Sequence, residues 1–227
     1  MRKVPKRMRR LNRQSVDVPS CLVNPPEDRT YGNLRREQKA EIRQKLLHMQ
    51  GNRCAYCERR TGKDAHDGHV EHFRSQATHP HRELEWSNLF WSCTDQHSCG
   101  KHKDDCSIVG GTGRKRAFTI DDILDPSIDD PDEYLLFVHD GTVRPRGDLG
   151  ANEARRAEET LRVFNLDQSS FLQDSRADAV RPYITSVDAL LSLGVEIVRK
   201  YVQSQLPIIE EQPFSTAIKH YLGGLIT

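Results

Sequence analysis

The apolar residues between positions 34 and 50 recur with the period of an amphipathic helix. They are Leu34, Ile42, Leu46 and Met49, and many of the positions between them are charged. Gly51 follows where the C-terminal cap of a helix belongs. The pattern therefore predicts a helix that ends just before Gly51 and leads the chain to the first cysteine pair.

The last third of the chain has the same period, which predicts a mostly helical region. One apolar face consists of Ala154, Ala157, Leu161 and Phe164, and residues 171–180 continue the pattern after a turn. The stretch from Thr185 to Asp188 resembles a capping box, so we expect another helix to begin there and to stop before Pro207. The apolar face of that helix would contain Val187, Leu190, Leu191, Val195, Val198 and Val202. Core packing and partner docking are both compatible with this region.

The stretch between these two helical regions lacks the helical period of apolar residues. Turn signals occur at residues 60–62 and at Asp67 and Gly68, which favours short strands and loops over residues 52–107. Residues 134–143 alternate loosely around Asp140 and Gly141, a pattern that predicts a β-hairpin. Helical and strand patterns that occupy separate parts of one chain indicate the α+β fold class.

Charge and composition exclude several classes of protein. The 227 residues contain 34 Lys and Arg against 33 Asp and Glu, a net charge of +1 with neutral histidine. This balance excludes a globally basic coat for nucleic acid. The longest apolar stretches are far shorter than the ~18–20 residues that cross a bilayer, and no apolar segment follows the basic start. We therefore expect a soluble, cytoplasmic protein without a membrane span.

Two segments are strongly basic. Seven of the first fourteen residues are Lys or Arg and none is acidic, which is typical either of an arm that contacts phosphates or of an exposed terminus. Residues 110–116 (G-G-T-G-R-K-R) lack the spacing of a Walker loop, and the chain contains no such loop. We interpret them as a flexible basic loop and expect any ATP hydrolysis to come from a partner.

The cysteines are grouped in a way that predicts a metal site. Cys54 and Cys57 form a C-x2-C pair, Cys93 and Cys99 form a C-x5-C pair, and eight of the ten histidines lie between residues 48 and 102. In a chain expected to be cytoplasmic, such clusters indicate metal binding rather than disulfides. The four thiolates would supply the tetrahedral ligand set of a structural zinc. Two alternatives remain open: His97 could replace Cys93 or Cys99, or the four cysteines are buried without a metal. Cys21 and Cys106 are interpreted as ordinary thiols.

The motifs around these cysteines resemble the HNH nuclease signature on a zinc-ribbon frame. They are D-G-H-V-E-H-F-R at 67–74, E-W-S-N-L-F-W-S-C at 85–93 and C-G-K-H-K at 99–103. The resemblance implies a ββα-metal finger, in which a hairpin carries the general base and a helix supplies a metal ligand. It implies that His72 is the base, that Glu71 and His102 bind a catalytic Mg2+ or Mn2+, and that Asn88 orients the hairpin.

These residue types suit phosphodiester hydrolysis. An imidazole can deprotonate water near neutral pH, and a divalent cation neutralises the charge that develops on the leaving oxygen. Arg74 and Lys103 are candidate contacts to phosphate oxygens. Glu71 and His72 are adjacent, so their side chains point to opposite faces of a strand. We therefore expect the backbone to bend there, or one side chain to reach round, if both serve one site.

One position departs from the HNH pattern. Many relatives have Asn or His directly after the last cysteine, where this chain has Gly100. We therefore assign the metal ligand to His102, and His97 and His69 remain candidates for the same role.

The resemblance extends to the HNH effectors of retron and Septu anti-phage systems, the PtuB-like proteins. C-A-Y-C-E at 54–58 and L-R-V-F-N-L at 161–166 contribute to it, and it covers roughly residues 35–175. The resemblance implies an ABC/SMC-like ATPase as partner and DNA or RNA as substrate. It also allows for a retron reverse transcriptase and its msDNA as further partners.

On these grounds we divide the chain into three parts. They are a basic N-terminal arm (1–33), an HNH nuclease core with its leading helix (34–117), and a mostly helical C-terminal region for packing and partner docking (118–227). The expected function is that of a metal-dependent endonuclease subunit in an anti-phage complex. The alternatives are a non-catalytic zinc module that docks a partner or nucleic acid, and a standalone nuclease.

Overall fold

Seven α-helices and two small antiparallel sheets build the part of the chain that the computed structural model describes, residues 10–62, 66–107 and 117–226. The elements are α1 (Arg36–Gln50), β1 (Gly68–His72), β2 (Leu89–Cys93), α2 (Cys99–Ser107), α3 (Pro131–Tyr134), β3 (Leu135–Phe137), β4 (Val143–Pro145), α4 (Ala151–Phe164), α5 (Ser170–Leu191), α6 (Val195–Ile209) and α7 (Ser215–Gly224). The expected α+β class is confirmed. The first nine residues of the basic arm and the glycine-rich loop 110–116 lie outside the described residues. Within the described ranges, none of the helices is long and apolar enough to cross a membrane.

Helix α1 forms where its apolar period predicts it and ends at the predicted cap. Gly51 adopts a left-handed conformation with φ of 61°, and its amide donates to the carbonyls of His48 and Leu47. Such a C-terminal cap satisfies carbonyls that the helix itself leaves without partners. Gln50 then joins α1 to β2, because its side chain accepts from the Trp91 amide at 2.8 Å and donates to the Trp91 carbonyl at 2.8 Å. The first cysteine pair therefore starts from a helix that is fixed to the sheet.

Strands β1 and β2 form a regular antiparallel ladder that runs from Gly68 opposite Cys93 to His72 opposite Leu89. Every residue of β2 is buried. The ring of Trp91 covers Gly68 so closely that a Cβ at this position would lie 2.4 Å from it. The predicted short strands are thus confirmed in this sheet. Strand β2 ends at Cys93, and the next element along the chain is α2.

Arg13, the last basic residue among the first fourteen, fixes the chain that enters β2. Its guanidinium donates to the carbonyls of Trp86 at 2.6 Å, Ser87 at 2.8 Å and Leu89 at 3.2 Å. It also stacks over the ring of Phe90, 4.4 Å from the centroid. Burial lowers the pKa of Arg13 to about 10. This arginine therefore has a structural role.

The predicted helix from Thr185 to Pro207 is wrong. Helix α5 continues through Pro182 to Leu191, and α6 begins only at Val195, after Gly194 with φ of 100°. The residues predicted to cap the start of this helix, Thr185 to Asp188, lie inside α5. The Thr185 hydroxyl donates to a carbonyl four residues earlier, as Ser and Thr often do inside a helix, and does not accept from the first amides of a new one. Pro207 lies within α6 and does not end it.

The β-hairpin predicted around Asp140 and Gly141 is confirmed as β3 and β4. The Asp140 carboxylate accepts from the Thr142 amide at 2.9 Å and closes the turn. Gly141 has φ of 85°, and a Cβ there would lie 1.9 Å from the Gln173 carbonyl of α5. Glycine is required for two reasons, since the conformation is left-handed and the turn touches helix backbone.

Gly141→Ala is therefore expected to reduce the free energy of unfolding by at least about 2 kcal/mol, the sum of left-handed strain and a backbone clash. Gly147→Ala is the matched control, because a Cβ there meets no atom within 4 Å. We expect the control to change stability by less than about 0.5 kcal/mol. Urea unfolding followed by circular dichroism measures both, and equal effects would contradict the close packing of this turn on α5.

Candidate functional site

Four cysteine side chains meet in the interior. Their Sγ atoms all lie within 4.8 Å of one another, and all four residues are buried; they are Cys54, Cys57, Cys93 and Cys99. Three chain segments supply them: the turn after α1, the end of β2 and the start of α2. Among the described residues, these four cysteines form the group of side chains that could share a metal ion. The group contains no histidine. The predicted cysteine set is thus brought together without His97.

The geometry and electrostatics of this cluster fit a metal ion such as zinc. A tetrahedral zinc with bonds of ~2.3 Å separates its sulfur ligands by about 3.8 Å, and the Sγ atoms of Cys57 and Cys93 are 4.0 Å apart. Burial opposes ionisation at Cys54, yet hydrogen bonds from the other three thiols hold its pKa well below its ordinary value. Hydrogen bonding and burial raise the pKa of Cys57 and Cys99. The cluster alone therefore resists full ionisation, and a divalent cation would supply the charge that four thiolates need.

Glu71 presents a buried carboxylate at the centre of the second group of polar residues. It is 2% exposed. Its Oε1 lies 2.8 Å from the Nζ atom of Lys103, and its Oε2 lies 3.2 Å from the Nε2 atom of His69. Burial raises the pKa of this carboxyl, but the charge of Lys103 and the bond to His69 outweigh burial and hold the pKa below its ordinary value. Glu71 is therefore an ionised group that a cation stabilises.

Lys103, predicted as a phosphate contact, is fully buried. Besides Glu71, its ammonium lies 3.1 Å from the His72 carbonyl oxygen and 3.1 Å from Oδ1 of Asp104. Three oxygen atoms from β1 and α2 thus surround one positive charge. This arrangement joins α2 to β1 and keeps the Glu71 carboxylate next to the positive charge of Lys103.

His72 ends β1 and is half-buried. Its Nε2 atom lies 3.1 Å from the Glu83 carbonyl oxygen, and the edge of its ring meets Tyr31 with centroids 4.9 Å apart. A carbonyl can only accept, so Nε2 carries the proton and Nδ1 carries the lone pair of the neutral ring. Burial lowers the pKa of His72, which favours that neutral form. This is the protonation state that a general base requires.

The backbone bend expected between Glu71 and His72, if both serve one site, does not occur. The ladder is regular up to the last pair, His72 opposite Leu89, so the two side chains point to opposite faces. Lys103 makes the connection, because its ammonium bonds both the Glu71 carboxylate and the backbone carbonyl of His72.

Asn88 fixes the loop between the two strands. Its side chain accepts from the Arg74 amide at 2.7 Å and donates to the Arg74 and Arg82 carbonyls at 3.0 Å each. The residue is 1% exposed. Since Glu83, whose carbonyl binds His72, directly follows Arg82, this clamp also determines where the imidazole is held. Arg74, the other predicted phosphate contact, lies 3.8 Å from Asp121.

The imidazole that bonds Glu71 is that of His69. The Nδ1 atom of His102 instead lies 2.8 Å from the Val163 carbonyl oxygen of α4. His69 and Glu71 are two residues apart on β1, so strand alternation is the sequence signal that places them on one face. Gly100 also belongs to this group, because a Cβ there would lie 2.5 Å from Oε2 of Glu71. The position at which the chain departs from the HNH pattern is therefore in direct contact with the carboxylate.

The chain is similar to two proteins from bacterial defence systems. The Septu protein PtuB of Bacillus thuringiensis is 29% identical over 121 residues, which are 52% of this chain and 42% of that protein. A Vibrio cholerae protein named the retron Vc95 putative HNH endonuclease is 22% identical over 173 residues, 73% of this chain and 76% of that protein. The resemblance to Septu and retron HNH proteins is confirmed. The match spans less than half the length of the Septu protein. No family model matches the chain.

Cys57→Ser is expected to remove most of the bound metal, because serine is a poor replacement for a thiolate ligand. The purified wild type should contain about one zinc per chain, measured by inductively coupled plasma mass spectrometry. Cys21→Ser is the matched control, since Cys21 is also buried but lies outside the cluster. A metal-free wild type, or a Cys57→Ser variant with unchanged zinc, would contradict the metal centre.

Proposed function

We propose that this protein is a metal-dependent HNH endonuclease subunit that hydrolyses phosphodiester bonds of nucleic acid in an anti-phage defence complex. The observation that carries the proposal is the order β1, β2 and α2 on the four-cysteine cluster, with Glu71 and His72 at the end of β1. This order supports the proposal of a ββα-metal finger, in which the four cysteines would hold a structural zinc. The names of the two similar proteins support the same function.

In the proposed reaction His72 acts as the general base. Its Nε2–H is held by the Glu83 carbonyl, which leaves the Nδ1 lone pair to accept a proton from the attacking water. The clamp of Asn88 keeps the loop that contains this carbonyl in place. The water then attacks phosphorus in line with the leaving oxygen, and the bond from phosphorus to that oxygen breaks.

We assign the catalytic cation, Mg2+ or Mn2+, to Glu71. When bound, such a cation neutralises charge on the phosphate and on the leaving oxygen. Two imidazoles are candidates for the second ligand: His102, implied by the HNH resemblance, and His69, whose Nε2 is 3.2 Å from the carboxylate. The ionised state of Glu71 suits a cation site, and a metal ion there would have to displace the ammonium of Lys103 from the carboxylate. Arg74 is retained as a phosphate contact, and Lys103 would act there only if it left its buried position.

We further propose that the subunit acts beside an ABC/SMC-like ATPase. The chain has no Walker loop and a net charge of +1, so it supplies neither ATP hydrolysis nor the broad positive surface that dominates affinity for phosphates. The substrate is DNA or RNA. In a retron setting, a reverse transcriptase with its msDNA would join the complex.

A non-catalytic zinc module is the second candidate. Two observations favour it: the ammonium of Lys103 already neutralises Glu71, and apolar side chains are exposed at the turn between α5 and α6. Those exposed residues are Leu191, Leu193 and Val195. This candidate predicts bound zinc and no cleavage that depends on Mg2+ or Mn2+.

His72→Ala is expected to reduce the cleavage rate by at least about 100-fold, the usual contribution of a general base. His81→Ala is the control, because His81 is exposed in the loop between β1 and β2. Plasmid and RNA cleavage would be measured with and without Mn2+, with the ATPase co-expressed, and zinc content would be compared in all variants. Full activity of His72→Ala would contradict the base. A wild-type complex that binds zinc and cleaves neither substrate would favour the non-catalytic module.

His69→Ala is expected to raise the Mn2+ concentration needed for half-maximal cleavage by about tenfold or more, because it removes the imidazole next to Glu71. His102→Ala should have a smaller effect, since its Nδ1 bonds α4. A Mn2+ titration of both variants separates the candidates. The opposite order of effects would assign the second ligand to His102.

A further inference from the structure

Tyr31 lies against the proposed base, although it precedes the predicted nuclease core in the chain. Its ring stands perpendicular to the imidazole of His72, with an interplanar angle of 88° and ring centroids 4.9 Å apart. Aromatic rings favour such an arrangement over a face-to-face one. Tyr31 therefore gives the base a second contact, besides the hydrogen bond from its Nε2 to the Glu83 carbonyl.

Glu83 connects these two contacts. Its backbone carbonyl accepts from Nε2 of His72 at 3.1 Å, and its carboxylate accepts from the amide of Tyr31 at 3.0 Å. The same carboxylate oxygen, Oε2, accepts from the side chain of Gln76 at 2.8 Å. One residue of the loop between β1 and β2 thus binds both Tyr31 and His72, which fixes their relative position.

Helix α1 also holds the chain around Tyr31. The ammonium of Lys39 donates to the Gly32 carbonyl at 3.0 Å and lies 5.3 Å from the centroid of the Tyr31 ring. The side chain of Asn33 accepts from the Thr30 amide at 3.1 Å and closes the turn before the helix. Tyr31 is therefore fixed at both its backbone and its ring.

A single hydrogen bond restrains the imidazole of His72 only in part. Tilting of the ring about the bond from Nε2 to the Glu83 carbonyl would move Nδ1, the proposed proton acceptor. A misplacement of about 1 Å can reduce the rate of a reaction by about 100-fold. Catalytic groups are accordingly held by the side chains packed around them, and the Tyr31 ring is such a side chain.

The hydroxyl of Tyr31 is not suited to proton transfer. Burial raises the pKa of Tyr31 to about 12, so the hydroxyl stays protonated near neutral pH. A group of such pKa is a poor general base at that pH. Its effect on catalysis would therefore come through the position of His72.

We propose that Tyr31 is a positioning residue, which holds the imidazole of His72 in the orientation in which Nδ1 accepts a proton from water. The carboxylate of Glu83 supports it, because it ties the backbone of Tyr31 to the loop that binds the imidazole. The inference rests on the proposed function, in which His72 is the base. It gives a residue before α1 a role in the proposed reaction.

Two substitutions separate the ring of Tyr31 from its hydroxyl. Tyr31→Phe keeps the ring and the backbone amide, whereas Tyr31→Ala removes the ring. Steady-state cleavage by the complex with the ATPase is measured with Mn2+. We expect Tyr31→Ala to reduce kcat by about tenfold with KM changed by less than about twofold, and Tyr31→Phe to stay within about twofold of the wild type.

A double-mutant cycle tests whether Tyr31 acts through His72. In the His72→Ala background, Tyr31→Ala should reduce the remaining cleavage by less than about twofold, because the imidazole that the ring positions is absent. An equal loss in both backgrounds would overturn the inference.

Tyr221→Ala is the matched control for loss of packing. Tyr221 on α7 is also half-buried, and its ring meets the imidazole of His139 with centroids 6.4 Å apart. The control should reduce stability, measured as Tm, and leave kcat unchanged. The same loss of kcat in Tyr221→Ala as in Tyr31→Ala would overturn a specific role of Tyr31.

If Tyr31→Ala does not fold, two substitutions of Glu83 decide. Glu83→Gln keeps an oxygen that can accept from the Tyr31 amide, whereas Glu83→Ala removes this acceptor and leaves the backbone carbonyl for His72. We expect kcat to fall in Glu83→Ala and to stay near the wild type in Glu83→Gln. Unchanged kcat in Glu83→Ala would overturn the inference.

The outcomes separate the inference from the proposed function. Wild-type kcat in Tyr31→Ala, together with loss of cleavage in His72→Ala, would overturn the role of Tyr31 while the base stands. Full activity of His72→Ala, or a wild-type complex that does not cleave, would overturn both.

Discussion

The convergence of four cysteine thiols within 4.8 Å is the constraint on which the arrangement of the site depends. The cluster joins the turn after α1 to the end of β2 and the start of α2. The direction of α2 follows from this junction, and with it the positions of Gly100 against the Glu71 carboxylate and of Lys103 between β1 and α2. A metal at this point would contribute folding free energy to a segment whose strands are short.

The second feature of the site is a charge balance built around Glu71. Its buried carboxylate needs a positive partner, and in this structure the ammonium of Lys103 provides it, together with the His69 imidazole. The same ammonium bonds the backbone of His72, so the proposed base and the proposed metal ligand are linked although they point to opposite faces of the strand. A divalent cation would therefore bind at a carboxylate that is already held in place, and would compete with or displace the contact to Lys103.

Sequence patterns predicted the elements that depend on residues close together in the chain. The apolar period and Gly51 identified α1, the turn residues Asp140 and Gly141 identified the hairpin, and cysteine spacing identified the four-cysteine cluster. The capping-box prediction at Thr185 was wrong because a hydroxyl inside a helix can bond a carbonyl four residues earlier. The division into three parts at residues 33 and 117 stays a prediction. The pairing of Lys103 with Glu71 could not be read from the sequence, because it joins residues from separate elements.

Anomalous diffraction from crystals of the zinc-bound protein soaked in Mn2+ would locate both proposed metal sites. Data collected at the zinc and manganese absorption edges distinguish the two metals. We predict a zinc peak surrounded by the four cysteine Sγ atoms and a separate manganese peak bonded to Glu71. A map without a peak among the cysteines, or with manganese bound away from Glu71, would contradict it.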